Sequence, residues 1–211
     1  MSRRTYDASR RQDAAARNRT AILDAARSLF VRHGYAATTM GDVATRAGVA
    51  PATAAAAFGG KAGLLKQLVD IAIVGDDEPI PVRERQVATD VAASTDPDEQ
   101  LALLAAFITE VHGRLAGLYD VMQQASGSDA EVLADLRRLQ QARRTGMAEF
   151  VALVDPAELK EGLDADRAAD IVWALTEPRV YGGLVSERGW PADDYREWLV
   201  EQLAHALLGR A

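Results

Sequence analysis

The sequence of 211 residues contains no cysteine, and this absence excludes several kinds of site. A chain without cysteine has no disulfide framework, no thiolate nucleophile and no zinc site built on sulfur ligands. Aromatic residues are scarce at 6% of the chain, whereas hydrophobic residues make up 48% and charged residues 26%. These proportions are ordinary for a globular protein, so the chain is expected to bury a core.

Long hydrophobic runs are also missing. The longest stretch without a charged residue is Ala47–Gly60, which has 14 residues and contains Pro51 and three glycines. A bilayer span needs about 20 apolar residues, so we expect no transmembrane helix and no membrane partner. The first arginines are not followed by the apolar segment of a secretory signal, and we therefore expect a cytoplasmic protein.

Motifs for catalysis and for cofactor binding are absent too. The sequence has no Walker loop, no dinucleotide-binding fingerprint, no H-E-x-x-H pair and no EF-hand loop. His33, His112 and His205 each lack a recognisable partner for triad chemistry. The acidic run 76–78 lacks the ligand spacing of a cation loop and is expected to be a solvated turn. We therefore predict that the protein is not an enzyme and binds no metal or cofactor.

Charge is distributed unevenly along the chain, whose net charge is −7. Residues 1–66 carry eleven basic and four acidic side chains, whereas the other 145 residues carry an excess of 14 negative charges. Six arginines lie within the first nineteen residues, namely Arg3, Arg4, Arg10, Arg11, Arg17 and Arg19. A basic third on an acidic remainder indicates a nucleic-acid-binding end, and a solvated charged tail is the alternative.

The basic third has the pattern of three helices. Apolar residues with helical spacing predict the first helix from Asn18 to a glycine cap at His33-Gly34, and they are Ile22, Ala25, Ala26, Leu29 and Phe30. Thr39 and Asp42 predict a capping box that begins a second, short helix, which ends at Gly48. Pro51 suits the first turn of a third helix that reaches Phe58. Two short helices joined by a glycine turn are typical of a helix-turn-helix, although a generic three-helix core needs the same features.

A set of residues at fixed spacing runs from about Arg19 to Leu68. Its members are Ile22, Ala25, Ala26, Phe30, Gly34, Tyr35, Thr38, Thr39, Met40, Val43, Ala44, Ala47, Gly48, Val49, Thr53, Phe58, Lys61, Leu64 and Leu65. This set resembles the N-terminal domain of the TetR family of bacterial regulators. The resemblance implies an all-helical dimer with an N-terminal helix-turn-helix and a larger C-terminal domain that binds an inducer. It therefore implies a ligand-responsive transcriptional repressor that binds a pseudo-palindromic DNA operator.

The third helix departs from the family pattern. Where the family commonly has Ser, Tyr, and Tyr or His, this chain has Ala50, Ala55 and Ala57. Thr53 is the only polar side chain from Ala50 to Phe58, and the helix has none of the Arg, Lys, Asn or Gln that mostly read base edges. Methyl groups and backbone amides remain for DNA contact. The predicted DNA-binding residues of this region are Thr39, Arg46, Pro51, Ala52, Thr53, Ala55, Ala56 and Lys61.

Because this helix has so few side chains that can bond to bases, we expect affinity for DNA to depend on the basic N-terminal arm, residues 1–16. Arg3, Arg4, Arg10 and Arg11 are predicted to contact DNA, with insertion into a neighbouring minor groove as one arrangement. The alternative is a frayed extension without a place on DNA. For the whole chain, the alternative function is a dimeric ligand-binding or interaction module that has lost sequence-specific DNA binding.

Beyond the helix-turn-helix domain, residues 17–66, we assign residues 67–211 to ligand binding and dimerisation. Helical spacing continues from Pro97 to a break at Ser126, and a second long helix covers about 130–154. Asp164 is expected to cap a further helix, and Pro178 to begin the next. The last pair is predicted at about 178–187 and 191–208, and no strand pattern is present.

Two sets of residues in this region are predicted to form sites. An apolar pocket with a few polar groups is the usual small-molecule site, and each member of the set is also a candidate for ordinary core. The ligand-binding set is Phe107, Val111, His112, Leu115, Tyr119, Met122, Met147, Phe150 and Trp173. The family builds its dimer from the last two helices, so the resemblance implies a homodimer interface containing Tyr181, Leu184, Val185, Trp198, Leu199, Gln202, Leu203 and Ala206.

Overall fold

The computed structural model describes residues 3–75 and 86–208, with side chains described from Ala14 onward except that of Val87. Every regular element in these ranges is helical, which confirms the all-α class. The helices are α1 Arg3–Ala37, α2 Met40–Ala47, α3 Pro51–Phe58, α4 Lys61–Val74, α5 Gln86–Ala93, α6 Pro97–Leu115, α7 Leu118–Ala125, α8 Ala130–Val151, α9 Ala165–Leu175, α10 Pro178–Tyr181 and α11 Ala192–Leu207. A 3-10 turn covers Pro156–Glu158, a π-helical segment covers Gly182–Glu187, and the acidic run 76–78 lies outside the described residues.

The chain folds into two compact units. The first, called the head unit here, combines Met1–Asp70 with Gly117–Asp135. The second, the body unit, combines Ile71–Ala116 with Leu136–Ala211. The predicted helix-turn-helix segment 17–66 lies wholly in the head unit, whereas the segment 67–211 contributes to both units. The functional division of the chain at these boundaries stays a prediction.

The head unit is built on the apolar stripe of α1. Ile22, Ala26 and Phe30 are almost completely buried, and Val43 of α2 and Leu64 and Leu65 of α4 are buried in the same unit. The range of α1 extends to Ala37, but the backbone of Gly34 is not helical (φ 79°, ψ 170°), so the chain kinks at the predicted glycine cap. At the other end α1 begins at Arg3, so described residues of the basic arm are helical.

The predicted caps of the helix-turn-helix are confirmed. The Thr39 N–H donates to Asp42 Oδ2 at 3.0 Å, and the Asp42 N–H donates to Thr39 Oγ1 at 3.1 Å, which completes the capping box. Gly48 ends α2 in the left-handed conformation at φ 69°. Pro51 occupies the first turn of α3, and Ala50 gives that helix no side-chain cap. The amides at the start of α3 therefore have no side-chain acceptor at the cap position.

The helix predicted to run from Pro97 to Ser126 is broken in two. α6 ends at Leu115 and α7 begins at Leu118, with Gly117 between them at φ 77°. A Cβ atom built on Gly117 would lie 3.1 Å from the Val31 side chain, so this position combines left-handed backbone with a close approach to α1. The apolar spacing continues across the break, which explains why it did not reveal the turn.

The body unit has one hydrophobic core, to which α6, α9 and α11 contribute the most deeply buried residues. Leu101 and Ala105 of α6 pack in the same cluster as Val172 of α9 and Leu199 and Leu203 of α11. Asp164 caps α9 as predicted, accepting from the Arg167 N–H at 2.8 Å. Within the described ranges, no single helix has both the length and the apolarity to cross a membrane.

Candidate DNA-binding and ligand-binding sites

Helix α3 presents nearly all of its side chains outward. Ala54 is completely buried and Phe58 is partly buried. The exposed residues of the helix are Pro51, Ala52, Thr53, Ala55, Ala56 and Ala57. Ala54 therefore packs α3 against the head unit. The other side chains of the helix are mostly small, and they form a surface that is exposed to a partner. All five candidates predicted on this helix lie on that surface.

The other predicted DNA-binding residues near α3 differ in how exposed their side chains are and in whether they contact other parts of the head unit. Thr39 and Arg46 are exposed at the start and end of α2. Lys61 is partly buried: its ammonium donates to the Tyr35 carbonyl at 2.9 Å and lies 4.1 Å from the centre of the Tyr35 ring. The Arg19 guanidinium lies 4.7 Å from the centre of the Phe58 ring. Lys61 thus fixes the start of α4 against α1 as well as carrying charge near α3.

The arm differs in form from the extended segment that minor-groove insertion requires. Its backbone is helical from Arg3, and the side chains of Arg3, Arg4, Arg10 and Arg11 lie outside the described residues. An α-helix is about 10–12 Å wide and the minor groove of B-DNA about 6 Å, so a helical arm does not enter that groove. A helical arm is limited to phosphates or to the major groove.

A polar contact within the head unit joins α1 to the start of α8. The Tyr35 hydroxyl donates to Asp129 Oδ2 at 2.7 Å, while Asp129 Oδ1 accepts from the Glu131 N–H at 3.0 Å. Burial, followed by the bond to Asp129, raises the pKa of the Tyr35 hydroxyl, and the same bond lowers the pKa of the Asp129 carboxyl. The capping residue of α8 is therefore also a binding partner of the helix-turn-helix. Sequence reasoning did not identify this pair.

The predicted ligand-binding residues are divided between the two units. Tyr119 and Met122 are buried in the head unit. The body-unit members are Phe107, Val111, His112, Leu115, Met147, Phe150 and Trp173. Phe107, Met147, Phe150 and Trp173 belong to the body core or pack against it. His112 is the polar member of this group, and its side chain is 3% exposed.

His112 lies in a row of aromatic rings. The ring centres of His112 and Tyr181 are 5.7 Å apart, and those of Tyr181 and Tyr195 are 5.0 Å apart, each pair edge to face. Burial, helped by the positive charge of Arg143, lowers the pKa of His112 to about 3. Burial raises the pKa values of both tyrosines. At neutral pH these three rings are therefore uncharged.

Arg143 of α8 brings a charge into the same region. Its guanidinium forms a 2.6 Å ion pair with Glu177 and donates to the carbonyls of Trp173 and Thr176 at 3.1 and 2.7 Å. It also lies 5.4 Å from the centre of the Trp173 ring. These bonds satisfy carbonyls at the end of α9, where a cation is favoured. Sequence reasoning missed Arg143, since nothing in the helical pattern separates it from the other arginines of α8, Arg137, Arg138 and Arg144.

The predicted dimer residues differ in how much surface they offer. Tyr181 is 6% exposed, and Leu199 and Leu203 are fully buried in the core of their own body unit. A side chain without exposed surface cannot contact a second subunit unless the protomer repacks. The partly exposed members are Leu184, Val185, Trp198, Gln202 and Ala206. The sequence pattern places all eight on apolar helix faces without distinguishing these two groups.

A comparison with known protein families finds a match within the head unit. Residues 22–68 match the family described as bacterial regulatory proteins of the tetR family. This range includes α2, α3 and every residue named above for the resemblance. No curated protein matches the sequence of this chain.

Solved structures share the fold of the whole chain. NalD, the secondary repressor of the MexAB-OprM multidrug efflux pump in Pseudomonas aeruginosa, is 20% identical, with a TM-score of 0.69 over 93% of this chain and 98% of NalD. SmeT, in a complex with triclosan, is 19% identical, with a TM-score of 0.69 over 90% of this chain and 91% of SmeT. FadR from Bacillus subtilis, in complex with stearoyl-CoA, is 20% identical, with a TM-score of 0.65 over 87% of this chain and 96% of FadR. At these identities the likeness establishes a shared fold.

Proposed function

We propose that this chain, a TetR-family transcriptional regulator, represses transcription by binding a pseudo-palindromic operator as a homodimer, and that a small apolar effector releases it. The observation that carries the proposal is the surface of α3, where only Ala54 is fully buried and six residues are exposed. A helix presented in this way by a helix-turn-helix can lie in the major groove. The family match over residues 22–68 supports the same assignment.

DNA contact in this proposal depends on shape and charge more than on base-specific hydrogen bonds. The exposed alanines of α3 can contact thymine methyl groups, and Thr53 can bond to a base or a phosphate. The Ala52 N–H at the start of α3, which no side chain caps, can donate to a phosphate. Thr39, Arg46 and Lys61 lie around this helix and contribute further phosphate contacts. Such an interface binds DNA tightly at low salt and discriminates modestly among sequences.

Substitutions that add either a negative or a positive charge to α3 test whether this helix contacts DNA. We expect Ala56→Glu to weaken binding by about tenfold, because a carboxylate near phosphates is repelled. Ala56→Lys should strengthen binding and steepen the slope of log K against log salt by about 2, because the proposed homodimer carries the new charge twice. Binding is measured by fluorescence anisotropy at several salt concentrations, on a duplex selected from random-sequence DNA.

The matched control is Ala157, an exposed alanine of the 3-10 turn in the body unit. Glutamate or lysine at position 157 changes the net charge equally, so it should leave affinity within about twofold. Equal effects at positions 56 and 157 would mean that α3 is not the contact surface. Binding by the parent chain that is absent, or insensitive to salt, would favour the alternative of an interaction module without DNA recognition.

Removal of the basic arm tests its contribution separately. We expect deletion of residues 1–16 to lower DNA affinity at least tenfold and to flatten the salt dependence, because several arginines would no longer neutralise phosphates. The full-length control replaces Arg3, Arg4, Arg10 and Arg11 by glutamine, which removes charge but keeps the length of α1. Unchanged affinity in both variants would exclude the arm from the interface.

The homodimer is proposed from the operator symmetry that the family requires and from the exposed part of the last helices. A dimer places two α3 helices on half-sites about one or more helical turns apart. Leu184, Val185, Trp198, Gln202 and Ala206 are the proposed interface residues because each retains surface in the protomer. Trp198 also packs edge to face with Trp190, at a 6.5 Å centroid distance, and Trp190 is among the exposed large hydrophobic residues. This aromatic surface is suited to an isologous contact.

The proposed effector site lies in the body unit around His112 and Trp173. Two structures with the same fold are complexes with small molecules, SmeT with triclosan and FadR from Bacillus subtilis with stearoyl-CoA, which supports a ligand-responsive role. Release of DNA requires that the effector bind the DNA-free form more tightly than the DNA-bound form. The effect on operator affinity is therefore measured with and without ligand on the same selected duplex.

A further inference from the structure

A groove between α8 and α9 opens on the outside of the body unit. Its volume is about 520 Å³, and volumes of about 300–1,000 Å³ are usual for small-molecule sites. The residues that line it on α8 are Arg137, Gln140, Gln141 and Arg144, which share one face of that helix. Those on α9 are Asp170, Trp173 and Ala174. The groove therefore combines charged, amide and aromatic groups.

The charges of the groove leave one cation without a partner. Two arginines and one aspartate give its walls a net charge of +1. Arg144 donates to Asp170 Oδ1 at 2.8 Å, so these two residues largely neutralise each other. Arg137 is exposed, and it forms no hydrogen bond or ion pair with any residue that the structure describes. Its guanidinium is available to a ligand, and a carboxylate is the group that matches its geometry.

Trp173 provides the groove with an aromatic surface that is partly exposed. The Arg143 guanidinium lies 5.4 Å from the centre of its ring and donates to its carbonyl at 3.1 Å. These contacts hold the tryptophan in place at the end of α9. A ring of the ligand that packs on this surface gains aromatic contact in addition to apolar burial.

Other kinds of ligand fit the walls less well. A cation would meet a net positive charge, and the Asp170 carboxylate already accepts from Arg144. An uncharged apolar molecule would remove water from Arg137 and from two glutamine amides without bonding to any of them. An anion with an aromatic ring satisfies both the unpaired arginine and the tryptophan.

We propose that this groove binds an aromatic carboxylate, with the carboxylate at Arg137 and the ring against Trp173. The groove is a second ligand site and goes beyond the proposed function. Of the predicted ligand-binding residues, Trp173 alone lines it, and His112 does not. Binding to the groove requires neither DNA nor the release of DNA, so it is measured on the protein by itself.

Four probes separate the contribution of the charge from that of the ring: biphenyl-4-carboxylate, biphenyl-4-carboxamide, biphenyl-4-methylammonium and the saturated bicyclohexyl-4-carboxylate. Binding to the full-length protein is measured by calorimetry at low and high salt. We expect the aromatic carboxylate to bind about fivefold more tightly than the carboxamide and about tenfold more tightly than the ammonium, with salt reducing the difference. The saturated carboxylate should bind about threefold more weakly than its aromatic counterpart.

Equal binding of the carboxylate and the carboxamide, tighter binding of the ammonium, or binding of none of the probes would overturn the assignment. Equal binding of the saturated and the aromatic carboxylate would overturn the contact with Trp173.

Exposed wall residues allow the carboxylate to be located. Arg137→Gln should remove the preference for carboxylate over carboxamide. Asp170→Asn should strengthen carboxylate binding about threefold, because it releases Arg144 from its ion pair. Arg138→Gln is the matched control, since Arg138 is exposed next to Arg137 on α8 but does not line the groove. Equal losses at positions 137 and 138 would show a general attraction of anions and contradict the site.

Filling the groove provides an independent test. Ala174 is an exposed wall residue, so Ala174→Trp should weaken binding of the aromatic carboxylate at least tenfold and leave the circular dichroism spectrum unchanged. Ala157→Trp, at an exposed position of the body unit outside the groove, should have no effect on binding. Unchanged affinity in Ala174→Trp would place the ligand elsewhere. Salt-dependent DNA binding by the parent chain without a probe tests the regulator separately, so either proposal can fail while the other stands.

Discussion

Replacement of Arg143 by alanine is expected to lower the free energy of unfolding by about 3–5 kcal/mol. The substitution leaves the Glu177 carboxylate largely buried without its 2.6 Å partner, and it removes the donors to the Trp173 and Thr176 carbonyls. Loss of an ion-pair partner by a mostly buried carboxylate is much more costly than the loss of a solvated pair. Urea unfolding followed by circular dichroism measures the difference.

The neighbouring Arg144 supplies the matched control. Its bond to Asp170 is 2.8 Å long, but the two side chains are 38% and 60% exposed. Arg144→Ala should therefore cost at most about 1 kcal/mol. The double variant Arg143→Met with Glu177→Met should recover much of the loss, because it removes both charges together. Equal losses at Arg143 and Arg144 would contradict the role assigned to the buried pair.

The second large effect is a loss of stability in acid that depends on His112. Its pKa is lowered from 6.5 to about 3 in the folded protein. Below pH 6.5 the unfolded chain therefore binds a proton that the folded chain does not, and stability falls as the pH falls. The expected contribution is about 1.4 kcal/mol per pH unit in this window, or about 2 kcal/mol between pH 7.5 and pH 5.

His112→Phe should remove this part of the pH dependence, and the difference is measured by urea unfolding at pH 7.5, 6.5, 5.5 and 5. Acidic residues titrate in the same experiment, so only the difference between parent and variant reports on position 112. His205→Gln is the control, since His205 is exposed on α11. The control should retain the full slope of the parent. A parent and a His112→Phe variant with parallel pH profiles would mean that His112 is charged, or exposed, in the folded state.

The helix-turn-helix was predictable from the sequence because its boundaries are set by local chemistry. The Thr39–Asp42 capping box, the glycine at 48 and the proline at 51 act within a few residues of their own positions. The cap at Asp164 belongs to the same class. Such signals require no knowledge of what packs against the helix. The apolar stripes likewise predicted which faces of the helices are buried.

The surroundings of His112 were only partly predictable because their key contacts are long-range. The sequence pattern singled out His112 as a candidate, but Arg143 meets Glu177 across 34 residues of sequence, and the Tyr195 and His112 rings both contact Tyr181. A stripe of apolar residues also does not reveal whether it packs within its own subunit or against a partner subunit. Leu199 and Leu203 therefore looked equally suited to a partner subunit and to the core of their own unit, where they lie.

The bond between Tyr35 and Asp129 has a practical consequence for transplanting the helix-turn-helix segment into another protein. Residues 117–135 pack with the first 70 residues, and the cap of α8 is bonded to Tyr35. A chimera that joins residues 1–66 to a foreign effector-binding scaffold would leave that tyrosine facing an unrelated surface. A functional transplant should instead carry two pieces of chain, the N-terminal portion and the stretch from Gly117 to Asp135.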